Sequence, residues 1–169
     1  MEIKHIDTRN EIKRVKTCYN CPAKLYAKDG ETIKLGFGNS FADKVIVLPS
    51  YSLVEKGDYI SCAKVLLDIV GSRLYEDFYV TRDIKCYNVS SYDIHDACVI
   101  NCNTFLNYEL SKFIGKKLFV FGNVDLSRID KNILNTYKVY RLFNPYIMIV
   151  GEQVLKNKFI NDVKMMMNL

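Results

Sequence analysis

Apolar residues along the chain fall into short blocks and into helical repeats. Continuous apolar blocks, typical of strands buried on both faces, predict strands at residues 44–48, 78–81, 117–121 and 139–143. Apolar residues at helical spacing predict helices over residues 11–17, 59–70, 93–113 and 152–167. The chain therefore alternates strands with helices over most of its length.

This alternation predicts an α/β fold, a three-layer α/β/α sandwich around a short, mainly parallel central sheet. Nothing in the sequence is typical of a linker, so residues 1–169 are expected to form a single domain. In open parallel sheets, ligands bind beyond the carboxyl ends of the strands. The candidate binding loops are therefore those that begin at Pro49, Arg82, Gly122 and Asn144.

The composition of the chain also indicates where the protein acts and what class of partner it binds. The chain carries a formal net charge of +5, which is compatible with a polyanionic partner such as nucleic acid. No apolar run is long enough to span a membrane, and the first residues are too charged for a secretory signal. We expect a cytosolic protein without membrane contact. In the cytosol, clustered cysteines favour metal binding over disulfides.

Four of the six cysteines have the spacing of a metal site. Cys18 and Cys21 form a C-x-x-C pair, while Cys86 and Cys102 lie far along the chain. Folding could bring all four together around a zinc ion or an iron–sulfur cluster.

Three interpretations of the cysteines compete. They could be small buried apolar residues, which suits Cys62 within an apolar helical repeat. A zinc ion could use the C-x-x-C pair with Cys98 and Cys102, which are one helical turn apart. A four-iron cluster would instead use the C-x-x-C pair with one distant cysteine from each of two places.

The residues around the cysteines resemble the iron–sulfur (family 4) uracil-DNA glycosylases. The matching segments are Cys18-Tyr-Asn-Cys21-Pro22, Gly36-Phe-Gly38-Asn39, Tyr79-Val-Thr81, Lys85-Cys86, and Cys102 followed by Phe105-Leu106. The resemblance covers nearly the whole chain. It implies a glycosylase-like fold and a 4Fe-4S cluster, with zinc as the less favoured ion. The implied ligands are Cys18, Cys21, Cys86 and Cys102, with Cys62 and Cys98 as bystanders.

The positions that carry the chemistry of that family differ here. Ser50 and Tyr51 stand where the family has an acidic loop, and a carboxylate is the obvious base for activating water. Arg82 replaces the asparagine that contacts uracil, and Asn144 replaces the histidine that stabilises the departing base. Asparagine cannot become a cation. The resemblance therefore implies degenerate catalytic positions at Ser50, Arg82 and Asn144, so no catalytic residue is expected.

Other positions could still contact nucleic acid. Tyr59 stands where the family stacks the base on an aromatic ring, and stacking is worth about 1–3 kcal/mol per base. The candidate contacts are Tyr51, Tyr59, Arg82, Asn144 and Tyr146. The lysines near the C-terminus, which include Lys156 and Lys158, could contact phosphates or simply be solvated.

We expect a catalytically degenerate glycosylase-like protein that binds DNA or docks a protein. By analogy, a replication accessory factor with a polymerase partner is a more specific hypothesis, and the residue usage suits a phage gene acting in an infected bacterial cytosol. Two alternatives remain open. One is an active DNA glycosylase on a modified base, with Arg82 contacting the modification; the other is a host-directed protein inhibitor or regulator.

Overall fold

The computed structural model describes residues 35–49, 53–55, 58–85, 96–113 and 115–169. The strands in these residues are β1 (Phe37–Gly38), β2 (Lys44–Leu48), β3 (Leu53–Glu55), β4 (Asp58–Ile60), β5 (Tyr79–Arg82), β6 (Lys117–Phe121) and β7 (Lys138–Leu142). The helices are α1 (Cys62–Val70), α2 (Arg73–Asp77), α3 (Asp96–Ser111), α4 (Lys131–Leu134), α5 (Ile147–Val150) and α6 (Gln153–Asn168).

Five of the described strands form one mixed sheet, in the order β1-β5-β2-β6-β7. Strands β5, β2, β6 and β7 run parallel to their neighbours, and only the short β1 pairs antiparallel, with β5. Strands β3 and β4 form a separate antiparallel pair. This architecture confirms the predicted α/β fold with a mainly parallel central sheet.

The side chains of the central strand β2 alternate between two hydrophobic cores. Ile46 and Leu48 belong to a core built with α1 and α6, while Val45 and Val47 belong to a core built with α3. All four side chains are almost completely buried. The sheet is therefore the middle of three layers, which explains the continuous apolar blocks in the sequence. No helix among the described residues is long and apolar enough to cross a membrane.

The predicted helix at residues 59–70 begins too early. Residues 58–60 form β4, and the helix begins at Cys62. The hydroxyl of Ser61 accepts a hydrogen bond from the backbone N–H of Lys64 at 3.1 Å, which caps the helix N-terminus. Apolar residues before such a cap fit both a strand and a helix, and pairing with β3 decides between them. The other predicted ends within the described residues are exact or differ by one or two residues.

Candidate functional site

Four parallel strands end side by side at one end of the sheet, here named the carboxyl edge. Leu48 at the end of β2 pairs with Arg82 at the end of β5, and the backbone N–H of Asp83 donates to the Leu48 carbonyl at 3.2 Å. The N–H of Gly122, just after β6, donates to the carbonyl of Leu142 in β7 at 3.0 Å. The loops predicted to bind a ligand therefore begin along one continuous line.

Asn144 is held close to the start of the loop after β6. Gly122 has a φ angle of 63°, and a Cβ atom placed on it would lie 3.1 Å from Asn144 Nδ2. The Oδ1 atom of Asn144 accepts a hydrogen bond from the backbone N–H of Tyr146 at 3.0 Å. The amide oxygen therefore takes part in a turn, which fixes the Asn144 side chain beside the start of the loop after β6.

Arg82 and Asn144 both lie at the carboxyl edge, but at the ends of different strands, β5 and β7. Strands β2 and β6 lie between β5 and β7. With a strand spacing of about 4.8 Å, the backbones of β5 and β7 are roughly 14 Å apart. A ligand that contacts both side chains must therefore extend across the ends of β2 and β6. Tyr146, which is 39% exposed, lies on the Asn144 side of this line.

A carboxylate that the sequence analysis did not single out also lies at the carboxyl edge. Asp83 follows Arg82 directly, and its Oδ1 accepts a hydrogen bond from the N–H of Ile84 at 2.7 Å. Burial raises the pKa of the nearby Cys62 thiol to about 12, and the negative charge of Asp83 contributes in the same direction. The signal in the sequence was the position of Asp83 at the end of a buried strand, which is where the fold places ligand contacts.

Beneath the end of β5, the buried carboxylate of Glu109 in α3 accepts hydrogen bonds from several donors. Its Oε1 accepts from the backbone N–H of Gly36 at 2.6 Å and from the Tyr79 hydroxyl at 2.8 Å. The Thr81 hydroxyl donates to the same carboxylate at 3.0 Å. Burial, with the Glu109 charge, raises the pKa of Tyr79 far above its ordinary value. Glu109 thereby fastens α3 to β5 and to the segment before β1.

Lys85 supplies the opposite charge in this cluster. Its ammonium group forms an ion pair with Glu109 Oε2 and donates to Thr81 Oγ1 and to the Arg82 carbonyl oxygen, both at 2.6 Å. These contacts use the three N–H donors of an ammonium group. The buried pair therefore holds the backbone of Arg82 at the carboxyl edge. No motif in the sequence predicted this ion pair.

One predicted cluster ligand lies close to this ion pair. Cys102 in α3 is 3% exposed, and its Sγ accepts a hydrogen bond from the backbone N–H of Lys85 at 3.4 Å. Cys86 is the next residue in the sequence after Lys85. Asn103, which follows Cys102 in α3, is also buried, and its Nδ2 has no hydrogen-bond partner within the described residues. Cys102, a predicted ligand, therefore contacts Lys85, which directly precedes Cys86, a second predicted ligand.

The other predicted ligands and several predicted contacts lie outside the described residues. They are Cys18, Cys21, Cys86, Ser50 and Tyr51. Within the described residues, no group of three or more His, Cys, Asp or Glu side chains is arranged to hold a metal ion. Tyr59 lies in β4 and Cys98 in α3. Cys62 is buried in the core beside α6.

The comparisons with protein families and with curated proteins found no relative of this chain. No protein-family model matches the chain. No curated protein matches it significantly. The resemblance to the iron–sulfur glycosylases therefore stays a prediction drawn from the quoted motifs.

Proposed function

We propose that the protein is a nucleic-acid-binding module on a uracil-DNA glycosylase-like scaffold that does not excise uracil. The observation that supports this most is the arrangement of Arg82 and Asn144 at the carboxyl edge, with two strands between theirs. A guanidinium and an amide spread over roughly 14 Å suit an extended polyanion better than a single small substrate. Arginine and asparagine side chains are common contacts to phosphates.

The surroundings of Asn144 argue against uracil excision. An excision reaction needs a group that stabilises negative charge on the departing base, and a cation does this best. Asn144 is neutral, so it can donate a hydrogen bond to the departing base but cannot supply a positive charge. Arg82 carries a permanent charge where a neutral pyrimidine would have to be accommodated.

The proposal includes a 4Fe-4S cluster held by Cys18, Cys21, Cys86 and Cys102. The surroundings of Cys102 fit such a group, because its buried sulfur accepts a backbone N–H and the next residue, Asn103, has an unpartnered buried amide. Hydrogen bonds to the sulfur atoms are among the features that tune these clusters. The bound cluster would cross-link distant segments of the chain and thereby stabilise the fold.

Metal analysis after anaerobic purification tests the cluster. We expect a brown protein with about four irons per chain. Cys102→Ser should lose the iron and the visible absorbance, whereas Cys62→Ser should keep both, because Cys62 belongs to the apolar core. Colourless protein that contains zinc would overturn the cluster assignment.

Salt-dependent DNA binding tests the main proposal. The logarithm of the association constant should fall linearly with the logarithm of salt concentration. Arg82→Ala should weaken binding and reduce that slope by about one. Arg73→Ala is the matched control, because Arg73 lies in α2, before β5, and pairs with Asp77 at 3.0 Å. Absence of binding at low salt would refute the proposal.

Asp83 favours a second candidate function, a glycosylase that acts on a modified base. A carboxylate at the carboxyl edge could serve as the general base for attack by water, and Arg82 could contact an acidic or extended substituent. Release of a free base from a panel of modified duplexes would support this candidate. Asp83→Asn should then abolish release while DNA binding is retained.

A more specific form of the main proposal is a replication accessory factor in the cytosol, with a polymerase as the protein partner. It derives from the glycosylase resemblance by analogy. Capture of a polymerase by the purified protein after nuclease treatment would support it, and capture only in the presence of DNA would show that the DNA bridges the two.

A further inference from the structure

Two aromatic side chains are exposed on either side of Asn144, at the end of β7. Phe143 is 42% exposed and Tyr146 is 39% exposed. Because Val150 lies one helical turn after Tyr146 and is 61% exposed, apolar surface continues along α5. Phe143, Tyr146 and Val150 are named the aromatic platform below.

A cation accompanies the aromatic platform. The ammonium nitrogen of Lys158 in α6 lies 5.0 Å from the centroid of the Phe143 ring. The positive charge lies over one face of an exposed ring, where it could contact a phosphate while a base stacks on the opposite face. Exposed aromatic rings next to cations are the combination that single-strand binders use.

We infer that the aromatic platform binds single-stranded DNA by stacking bases on Phe143 and Tyr146, while Lys158 contacts the phosphate backbone. This inference rests on the proposed function and adds a preference for single strands. Bases in a duplex are stacked on each other, so their faces cannot reach a protein ring without being extruded. A purely apolar protein surface would gain from the exposed rings but not from Lys158, whereas single-stranded DNA offers bases to the rings and a phosphate to the lysine.

The location of the platform supports the same occupant. It flanks Asn144, so it continues the carboxyl edge on the side away from Arg82. A DNA strand that contacts Arg82 and crosses the ends of β2 and β6 would then reach Phe143. The platform thus extends the proposed DNA path and is not a separate surface.

The experiment uses fluorescence anisotropy of the full chain with three probes. These are labelled oligothymidylate, an abasic strand of the same length, and a duplex of the same length. We expect oligothymidylate to bind more tightly than either of the others. Phe143→Leu and Tyr146→Leu keep an apolar side chain but remove the ring, so each should weaken oligothymidylate binding roughly 5- to 150-fold. Neither should change binding of the abasic strand.

Phe41→Leu provides the matched control. Phe41 is 53% exposed but precedes β2, at the opposite end of the sheet from the carboxyl edge. Its replacement should leave all three affinities unchanged. Photocrosslinking of oligothymidylate to the chain, followed by mass spectrometry, should recover thymine adducts on Phe143 or Tyr146.

The outcomes separate this inference from the proposed function. If both platform variants bind oligothymidylate like the wild type while Arg82→Ala weakens binding, the platform is refuted and the proposed function stands. If the duplex binds more tightly than the single strand, the single-strand preference is refuted. If the wild type binds none of the probes at low salt, both proposals fail.

Discussion

Lys85 and Glu109 form an ion pair in the interior of the protein, where their side chains are 1% and 3% exposed. Charges buried in this way are tolerated when their remaining hydrogen-bonding positions are satisfied. Gly36, Tyr79 and Thr81 satisfy the carboxylate, and Thr81 with the Arg82 carbonyl satisfies the ammonium. The pair joins α3 to the end of β5, and so connects the helix that carries Cys102 with the strand that carries Arg82.

Glu109→Gln should lower the free energy of unfolding by about 3–5 kcal/mol. The substitution leaves the Lys85 ammonium buried without a counter-charge. It also introduces an amide N–H that competes with the donors from Tyr79 and Gly36. Urea denaturation followed by circular dichroism measures the change.

The control for this substitution is Asp68→Asn in the exposed ion pair with Lys64, whose side chains are 57% and 59% exposed. That change should cost less than about 1 kcal/mol. A loss for Glu109→Gln no larger than the loss for Asp68→Asn would contradict the structural importance of the buried pair.

The central strands could be predicted from the sequence because both of their faces are buried. Lys44–Leu48 and Lys117–Phe121 were predicted to the residue, since burial on two sides leaves an uninterrupted apolar block. The start of α1 could not be fixed in the same way. Tyr59 and Ile60 are apolar at positions that fit both the helical repeat and the alternation of a strand. Only their pairing with β3 assigns them to a strand.

The candidate site was predictable in location but not in detail. The rule that ligands bind beyond the ends of parallel strands led to the loops at Arg82 and Asn144, and both lie at the carboxyl edge. The partnership of Lys85 with Glu109 was not predictable, because a charged residue within a helical repeat is usually solvated. Its burial depends on a partner from another element, and one sequence does not reveal that pairing.

Asn107→Ala should destabilise the fold by about 1–3 kcal/mol. The Nδ2 of Asn107 donates to the carbonyls of Asn103 and Arg128 at 3.0 and 3.3 Å, and its Oδ1 accepts from the Asp130 N–H at 2.7 Å. The side chain therefore connects α3 with the start of α4. Thermal and urea denaturation of the variant measure the loss.

Asn103→Ala is the comparison for that change, because the Asn103 amide nitrogen has no hydrogen-bond partner within the described residues. Its removal should cost less than the removal of the Asn107 side chain. An equal or larger cost would mean that Asn103 bonds a group beyond those residues, and iron content measured on the same variant would indicate whether that group is the proposed cluster.

Alkaline pH should destabilise the protein partly through Cys62. Burial raises the pKa of its thiol from 9.0 to about 12 in the folded state. Between these values the unfolded chain loses the proton and the folded chain keeps it, so stability falls as pH rises from 9 towards 12, by up to about 1.4 kcal/mol per pH unit. The raised pKa of Tyr79 acts in the same direction.

The contribution of Cys62 can be isolated by comparing wild type and Cys62→Ala. Urea denaturation under reducing conditions at pH 8 and pH 11 should show a loss of stability with pH that is about 2–3 kcal/mol smaller in the variant. The folded wild type should also leave Cys62 unalkylated by iodoacetamide at pH 8. Identical pH dependence in the two proteins would contradict the raised pKa.

Gly122→Ala and Gly115→Ala should separate backbone strain from the placement of Asn144. Both glycines have positive φ angles, 63° for Gly122 and 81° for Gly115, so alanine at either position should cost about 1–2 kcal/mol of stability. At Gly115 a Cβ atom meets no atom of the described residues within 4 Å, whereas at Gly122 it meets the Asn144 side chain at 3.1–3.2 Å. Alanine at Gly122 must therefore push the Asn144 side chain aside by a few tenths of an ångström.

DNA affinity then distinguishes the two variants under conditions in which both remain folded. Gly122→Ala should bind DNA more weakly than the wild type, because the Asn144 side chain that it shifts also accepts the hydrogen bond from the N–H of Tyr146. Gly115→Ala should bind like the wild type despite a similar loss of stability. Equal affinities for the two variants would mean that the position of Asn144 does not matter for binding. Of the two side chains, only Arg82 would then remain as a proposed DNA contact.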